Sequence, residues 1–238
     1  KKFRLKVGAA IGTSQTELLR AKNLIDSGTD MIVIDTAHGH SDNVLKMLSK
    51  IKKFSKKISI CVGNIATGEA AKLLYNSGAD ILKVGIGPGS ICTTRMVAGI
   101  GVPQITALLN VKKAMHKKKI KIISDGGIKF SGDIIKAIAA GADAIMMGSI
   151  FAGTDESPGK IFRVKNKLYK LYRGMGSIGA MSSGSSERYF QKNHKDKSKF
   201  VPEGVESRVL YKGKVSKIIY QLQGGLRSSM GYIGAQKL

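Results

Sequence analysis

One junction recurs in this chain: Ser77-Gly78-Ala79-Asp80 is followed directly by the apolar run Ile81-Leu82-Lys83-Val84. The same arrangement precedes residues 31–35 as Ser27-Gly28-Thr29-Asp30, and residues 144–148 as Ala140-Gly141-Ala142-Asp143. Glycine readily adopts the left-handed conformation that ends many helices, and short continuous apolar strands are typical of a parallel sheet covered on both faces. The junction therefore predicts a repeated unit in which each helix ends just before the next strand.

Working outward, the apolar runs predict six strands, over residues 7–10, 31–35, 58–62, 81–84, 120–124 and 144–147. Amphipathic patterns predict helices from about Ser14 to Ile25, with Glu17 completing a capping box, and over residues 41–53, 67–76, 106–117 and 132–139. This alternation predicts an α/β fold, and a (β/α)₈ TIM barrel is the leading architecture.

Six units are two short of a barrel, so either the sheet is open or the first two units precede Lys1. The fifth and sixth strands end in the glycine turns Asp125-Gly126-Gly127-Ile128 and Met147-Gly148-Ser149, whose backbone N–H groups suit an anion. In such barrels the loops after strands seven and eight often bind phosphate. We therefore favour a barrel whose first two units are missing from this chain.

Length and composition permit a sizeable core, since the chain has 238 residues of which 42 % are hydrophobic. No apolar run approaches the ~18 residues of a membrane span, and the N-terminus lacks the apolar segment of a signal peptide. Two cysteines do not form a disulfide framework, so a cytoplasmic location is expected.

The net charge of +24 raises the possibility of a nucleic-acid ligand. The lysines are spread along helix faces and loops, and aromatic residues, which would stack on bases, make up 6 % of the chain. A lysine-rich bias on solvated faces is the better explanation, so nucleic acid is not expected as a partner.

The fourth strand leads into a glycine-rich loop with Gly85, Gly87 and Gly89, followed by a cysteine, Cys92. Such a loop lets backbone groups approach a ligand closely, and a cysteine beside it could act as a nucleophile. A dinucleotide fingerprint is excluded because position 90 is Ser and no acidic residue follows at the expected distance. A tight turn with a buried structural cysteine remains the alternative.

After Phe151 the repeat ends. Residues 168–172 predict a short strand, whereas residues 173–186 are dominated by Gly, Ser and Met and lead to a polar span over 191–199. A segment of this length without regular structure is typical of a lid or binding loop, or else of a disordered stretch. A last helix is predicted over residues 215–222, ahead of a glycine-containing stretch over 224–232.

These pieces together resemble inosine 5′-monophosphate dehydrogenases over nearly the whole chain. The resemblance rests on the cysteine loop at residues 85–94, Asp125-Gly-Gly-Ile128, Tyr172-Arg-Gly-Met-Gly-Ser177, Arg188-Tyr-Phe190 and Pro202-Glu-Gly204. The cysteine loop is shared with the sister family, the guanosine monophosphate reductases. The loop at 172–177 and the Arg188–Tyr189 pair resemble the dehydrogenase.

The resemblance implies a reaction. Cys92 would attack C2 of inosine 5′-monophosphate (IMP), hydride would pass to NAD⁺, and the covalent thioimidate would be hydrolysed to xanthosine 5′-monophosphate (XMP). Thr94, Arg188 and Tyr189 would activate the water, with a mobile flap over about residues 173–204 bringing in the last two after the dinucleotide leaves. From the residues alone, an anion-binding or salt-bridging role is the better interpretation of Arg188, because an arginine pKa above about 12 makes this side chain an awkward base.

The resemblance also implies the binding residues. The 5′-phosphate would be held by Ser90, Gly127, Gly148, Ser149 and Tyr172, and the ribose by Asp125 with the adjoining Gly126. The base would lie against Gly174, Met175, Gly176 and Glu203. The residues implied for the dinucleotide are Asp35, Thr36, Ala37, Asn64, Gly85, Ile86 and Gly87.

A monovalent cation, K⁺, is implied at the carbonyl groups of Gly87, Gly89 and Cys92, with further ligands from a neighbouring subunit. The resemblance also implies a homotetramer, a single catalytic domain over residues 1–238, and a regulatory Bateman domain that does not occur in this chain. Two alternatives stay open: an NADPH-dependent guanosine monophosphate reductase, and a non-catalytic basic module that binds nucleotides or nucleic acid.

Overall fold

The computed structural model describes residues 4–191 and 196–238. Its main sheet contains six parallel strands whose spatial order follows the sequence. They are β1 (Gly8–Ile11), β2 (Met31–Asp35), β3 (Ser59–Ile65), β4 (Ile81–Val84), β5 (Lys121–Asp125) and β6 (Ala144–Met146). All six predicted strands are confirmed, and their bounds differ from the prediction by at most three residues. The protein has an α/β fold with a parallel half-barrel sheet, as in part of a TIM barrel.

Helices lie between successive strands, as the junction pattern predicts. They are α1 (Gln15–Asp26), α2 (Asp42–Phe54), α3 (Gly68–Asn76), α4 (Thr94–Val97), α5 (Gln104–Ala114) and α6 (Ser131–Ala139). The short α4, which follows the cysteine loop directly, was not predicted. The predicted capping box is wrong, because the Ser14 side chain makes no cap hydrogen bond and the Glu17 carboxylate accepts instead from Gly12 N at 3.0 Å.

The core lies between the sheet and these helices. Ile32, Ile34, Ile60, Val62 and Leu82 of the strands are fully buried, and the helices pack their apolar faces against them. Cys61 of β3 is also fully buried. Its burial raises the pKa of the thiol to about 12, so this cysteine stays protonated.

A second, antiparallel sheet follows the half-barrel and contains β7 (Ile161–Val164), β8 (Lys167–Arg173) and β9 (Glu206–Leu210). The predicted strand at 168–172 is confirmed, whereas β7 and β9 were missed because they are short and mostly exposed. Lys170 of β8 is buried, and its ammonium group donates to the carbonyl oxygens of Thr154, at 2.7 Å, and Ser157.

The segment between β8 and β9 is more regular than expected. Its glycine- and serine-rich part forms α7 (Ile178–Ser182) and a 3₁₀ turn over Ser185–Tyr189, and a second 3₁₀ turn covers Lys197–Lys199. The expectation of no regular structure over 173–186 is therefore wrong in part. Residues 192–195 of the polar span, like residues 1–3 of the basic N-terminus, lie outside the described residues.

The last helix, α8 (Val215–Tyr232), is longer than the predicted 215–222. The glycines at 224 and 225 lie inside this helix, and α8 packs closely on α6. A Cβ atom at position 225 would lie 2.1 Å from Ser131 Oγ, so the close approach of these two helices requires glycine there. No helix in the described part of the chain is both long and apolar enough to cross a membrane.

The packing of α2 generates a stability prediction. Ile51 is 0 % exposed in the core, so Ile51→Ala should reduce the free energy of unfolding by about 2–5 kcal/mol through lost burial and a cavity. Urea denaturation monitored by circular dichroism measures the change. Leu19→Ala on α1, where the side chain is 56 % exposed, is the matched control and should cost far less. Equal losses in the two variants would contradict this account of the core.

Candidate active site

The carboxyl ends of the parallel strands surround a cavity of about 390 Å³. Most of the residues predicted for catalysis, base binding and dinucleotide binding border this one space. They are Ala37, Asn64, Gly85, Ile86, Gly87, Gly89, Cys92, Thr94, Asp125, Gly126, Tyr172, Gly174, Met175, Gly176, Arg188, Tyr189 and Glu203. Residues separated by more than a hundred positions thus meet at a single site.

A second cavity of about 350 Å³ adjoins the first, and Asp125, Gly126 and Tyr172 line both. All the residues predicted for the phosphate border it, namely Ser90, Gly127, Gly148, Ser149 and Tyr172. Burial raises the pKa of Tyr172, and a hydrogen bond with the Ser90 side chain opposes that shift, so the phenol remains a neutral donor. A Cβ at position 148 would lie 2.6 Å from the Tyr172 hydroxyl oxygen, so the smallest residue is needed there.

The cysteine loop begins where β4 ends. Gly85 has a φ of +153°, and a Cβ at this position would lie 2.2 Å from the carbonyl oxygen of Asp125, so the loop passes directly against the end of β5. Arg95 donates from Nη2 to the carbonyl oxygens of Ile86, at 3.2 Å, and Val102, at 2.7 Å. These hydrogen bonds tie the glycine-rich loop to the segment that precedes α5.

A chain of three side chains carries the reactive groups of the first cavity. The thiol of Cys92 donates to Thr94 Oγ1 at 3.3 Å, and Thr94 Oγ1 donates to Glu203 Oε2 at 2.8 Å. The backbone supports this alignment, because Thr93 N donates to the carbonyl oxygen of Glu203 at 2.9 Å and Cys92 forms an antiparallel bridge with Gly204. A nucleophile, a hydroxyl and a carboxylate are therefore connected by hydrogen bonds.

Arg188 extends from its 3₁₀ turn to the end of β2, where its guanidinium forms an ion pair with Asp35. The backbone also joins the two segments, because Ala37 N donates to the carbonyl oxygen of Arg188 at 3.2 Å. Burial alone would lower the pKa of Arg188, but the Asp35 carboxylate raises it above its already high ordinary value. Arg188 is therefore a permanent cation here, while burial raises the pKa of its neighbour Tyr189 against the opposing charge of Arg188.

Lys83 was missed by the sequence reasoning. Its side chain is buried, with 2 % of the residue exposed. Its Nζ lies 2.7 Å from Asp125 Oδ2 and 2.9 Å from Asp35 Oδ1, and it also donates a hydrogen bond to Asn64 Oδ1. Burial would raise the pKa of Asp35, but the charges of Lys83 and Arg188 outweigh burial and lower it. The available signal was a lysine inside the otherwise apolar strand Ile81–Val84, because a buried ammonium group requires partners.

Three predicted residues differ from expectation in their surroundings. Thr36 is buried and does not border either cavity, because its hydroxyl donates to the carbonyl oxygen of Gly63 at 3.1 Å. Asp35 does not border them either, since Arg188 and Lys83 cover its carboxylate. Of the three carbonyls predicted for a cation, that of Gly89 already accepts from Cys92 N at 3.1 Å.

Comparison with known proteins agrees with this geometry. A family model described as "IMP dehydrogenase / GMP reductase domain" matches residues 1–238. Among curated proteins, inosine-5′-monophosphate dehydrogenases from Staphylococcus saprophyticus and Aquifex aeolicus are 57 % and 55 % identical over 99 % of the chain. The chain spans about half the length of these relatives, 48 % in both cases.

A solved structure gives the same result for the fold. GMP reductase from Trypanosoma brucei, in complex with guanosine 5′-monophosphate, superposes with a TM-score of 0.88 at 46 % sequence identity. The superposition covers 98 % of this chain and 47 % of that one. The half-barrel, the cysteine loop and the matches in sequence lead to one conclusion: this chain belongs to the IMP dehydrogenase / GMP reductase family.

Proposed function

We propose that the chain carries the NAD-dependent oxidation of IMP to XMP through a covalent intermediate on Cys92. The observation that carries the proposal is the hydrogen-bonded series Cys92–Thr94–Glu203 in a cavity that Arg188 and Tyr189 also border. A nucleophile alone would permit many reactions. A nucleophile together with groups that activate water suits a reaction with a covalent step followed by hydrolysis.

The nucleotide would span the two cavities. Its phosphate would lie in the 350 Å³ cavity, which backbone N–H groups and the Ser90, Ser149 and Tyr172 hydroxyls surround. Asp125 borders both cavities, so its carboxylate suits the ribose hydroxyls between phosphate and base. The base would lie against residues 174–176, which border the same cavity as Cys92.

In the first step the thiolate of Cys92, having released its proton to water, forms a bond to C2 of the purine. The C2–H bond breaks with its electron pair, and bound NAD⁺ supplies the acceptor for that hydride. In the second step water adds to C2, the C–S bond breaks, and Cys92 leaves as thiolate. The net reaction converts IMP, NAD⁺ and water into XMP, NADH and a proton.

The water loses a proton in the second step, and the geometry favours Glu203 as its destination. Thr94 Oγ1 would accept the proton from water while it passes its own to Glu203 Oε2, 2.8 Å away. Arg188 is a poor base because Asp35 raises its pKa further. As a cation it would orient the water with Tyr189 and stabilise the developing negative charge.

The dinucleotide would share the end of β2 with Arg188. Ala37, Asn64 and residues 85–87 border the cavity, whereas the Asp35 carboxylate is covered by Arg188. Ribose hydroxyls and the guanidinium would compete for this one carboxylate. Dinucleotide binding and the closed position of Arg188 therefore alternate, as expected if residues about 173–204 act as a flap.

Further parts of the interpretation rest on the family resemblance. We propose that two β/α units preceding this chain complete a TIM barrel, since β1 and β6 are the edges of the described sheet. K⁺ would bind the carbonyls of Gly87, Gly89 and Cys92, and Gly89 retains one lone pair for it. A catalytic domain over residues 1–238, a homotetramer and a cytoplasmic location complete the proposal.

A second candidate is the NADPH-dependent reductive deamination of guanosine 5′-monophosphate (GMP) to IMP. The 46 % identity to a GMP reductase of matching fold favours it. That reaction would use the same thioimidate on Cys92 but would not need Arg188 to activate water. The two candidates therefore differ in the nucleotide that they consume and in their dependence on Arg188.

Replacement of the nucleophile tests the covalent step. Cys92→Ala should lower NADH formation from IMP and NAD⁺, followed at 340 nm with K⁺ present, by at least about 10³-fold. IMP binding, measured by calorimetry, should persist because the cavities keep their other residues. Cys61→Ala is the matched control, since Cys61 is buried in β3 and lines neither cavity, and it should retain turnover. Turnover in Cys92→Ala would contradict the proposal.

Replacement of Arg188 separates the two steps and the two candidates. Arg188→Ala should slow hydrolysis by about 10²–10³-fold because a cation near the developing charge is lost, while hydride transfer continues. Stopped-flow absorbance should therefore show a burst of one NADH per site followed by slow turnover. If the chain instead consumes NADPH with GMP and Arg188→Ala leaves that rate unchanged, the reductase is the correct function.

A further inference from the structure

The described part of the chain contains two buried lysines, and they have different surroundings. Lys170 donates its hydrogen bonds to backbone carbonyl oxygens in the second sheet. Lys83 lies in β4, and its contacts are to side chains of three other strands: Asp35 of β2, Asn64 of β3 and Asp125 of β5. A lysine that merely fills the interior would not need two carboxylates, so this arrangement requires an explanation.

The two carboxylates belong to different parts of the proposed site. Asp125 borders both cavities at the position suited to the ribose of the nucleotide. Asp35 ends β2, two residues before Ala37, which borders the first cavity where the dinucleotide would bind. Lys83 is in direct contact with both, at 2.7 Å and 2.9 Å. One ammonium group thus connects the two binding regions without bordering either cavity.

The charges of this cluster explain why the connection matters. With Arg188 on Asp35, two cations and two carboxylates balance. When a dinucleotide displaces Arg188, Lys83 is the cation of this cluster that stays. A buried carboxylate without a counter-charge is costly and tends to take up a proton, so Lys83 keeps Asp35 an ionised acceptor at that stage.

We propose that Lys83 is a positioning residue that couples the nucleotide subsite at Asp125 to the dinucleotide subsite at Asp35. The inference rests on the proposed function. Ribose hydroxyls that bind Asp125 fix this carboxylate, which fixes the ammonium group of Lys83 and therefore the Asp35 carboxylate. The dinucleotide then meets an acceptor that is already oriented. Because coupling of binding is reciprocal, the dinucleotide increases affinity for the nucleotide by the same factor.

Asn64 helps to hold the Asp125 carboxylate in place. Its amide Nδ2 donates to Asp125 Oδ2 at 2.9 Å and to the carbonyl oxygen of Gly85 at 2.7 Å, so it holds Asp125 against the base of the cysteine loop. Lys83 and Asn64 therefore share Oδ2 of Asp125 and leave Oδ1 for a ligand. The carboxylate can bind ribose hydroxyls without giving up its contact to Lys83.

The test measures coupling in the absence of turnover. In a Cys92→Ala background, the Kd of NAD⁺ is measured by isothermal titration calorimetry with and without saturating IMP. We expect IMP to tighten NAD⁺ binding by about 5-fold or more, the usual lower range for coupled sites. Adding Lys83→Met should bring this ratio close to one. Lys83→Arg should restore part of the ratio, because the charge returns without the original geometry.

Lys170→Met in the same background is the matched control. It removes an equally buried ammonium group, so it should lower the unfolding temperature while leaving the coupling ratio unchanged. Equal loss of coupling in Lys170→Met and Lys83→Met would overturn the inference, because it would show a general effect of destabilisation. An unchanged ratio in Lys83→Met would also overturn it.

Circular dichroism checks that each variant folds. If Lys83→Met does not fold, the same measurement is made on Lys83→Arg. A coupling ratio for NAD⁺ and IMP that falls by at least about threefold supports the coupling role, and an unchanged coupling ratio overturns it. The proposed function is judged separately, by NADH formation in the chain with Cys92 intact. NADH formation with no coupling overturns the inference alone, whereas coupling of IMP and NAD⁺ binding without NADH formation overturns the proposed reaction alone.

Discussion

The site depends on the parallel pairing of six strands in sequential order. Because all six run in the same direction, their carboxyl ends meet at one edge of the half-barrel, and every loop that follows a strand opens there. Asp35 ends β2, Asp125 ends β5, and the cysteine loop follows β4. These groups are distant in sequence, and the strand order alone makes them neighbours. The helices on the outside bury the apolar strand residues and so hold this edge rigid.

Electrostatics then determines which side chains can occupy the edge. Two carboxylates with low exposure lie within reach of one buried ammonium group and one guanidinium. Each charge is stabilised by its opposite, and the lowered pKa of Asp35 follows from Lys83 and Arg188 outweighing the effect of burial. Lys83 contacts both carboxylates and Arg188 contacts only Asp35, so within this cluster the loss of Lys83 would leave Asp125 without a cation.

The segment between β8 and β9 completes the cavity from above. It places Glu203 against Thr94 through a backbone hydrogen bond at 2.9 Å and extends Arg188 across to Asp35. The contacts that it makes with the half-barrel include these hydrogen bonds and this ion pair, whereas the core beneath the sheet consists of apolar side chains. A polar side-chain contact of this kind can be exchanged for a ligand contact, which suits the proposed replacement of a dinucleotide by water.

Sequence patterns were enough to predict the repeated β/α unit, the six strands, the cysteine loop and the glycine turns after β5 and β6. These are local signals: apolar runs, glycines at helix ends and short motifs at fixed spacing. They failed for β7, β9 and the full length of α8, because those elements depend on partners elsewhere in the chain. Gly225 lies inside α8, where the absence of a side chain makes room for Ser131, and nothing adjacent in sequence reveals that contact.

The hydrogen bonds and ion pairs between the site residues could be read only from the folded chain. The sequence marked Cys92, Thr94 and Glu203, but the fold brings the last of them within 2.8 Å of Thr94. It also turned Thr36 away from the cavities and made Lys83, which reads as one residue of an apolar strand, the link between two carboxylates. Local sequence patterns indicate which face of a strand or helix a residue lies on. The partners of a buried charge depend instead on strand order and register, because these bring together residues that are far apart in the chain.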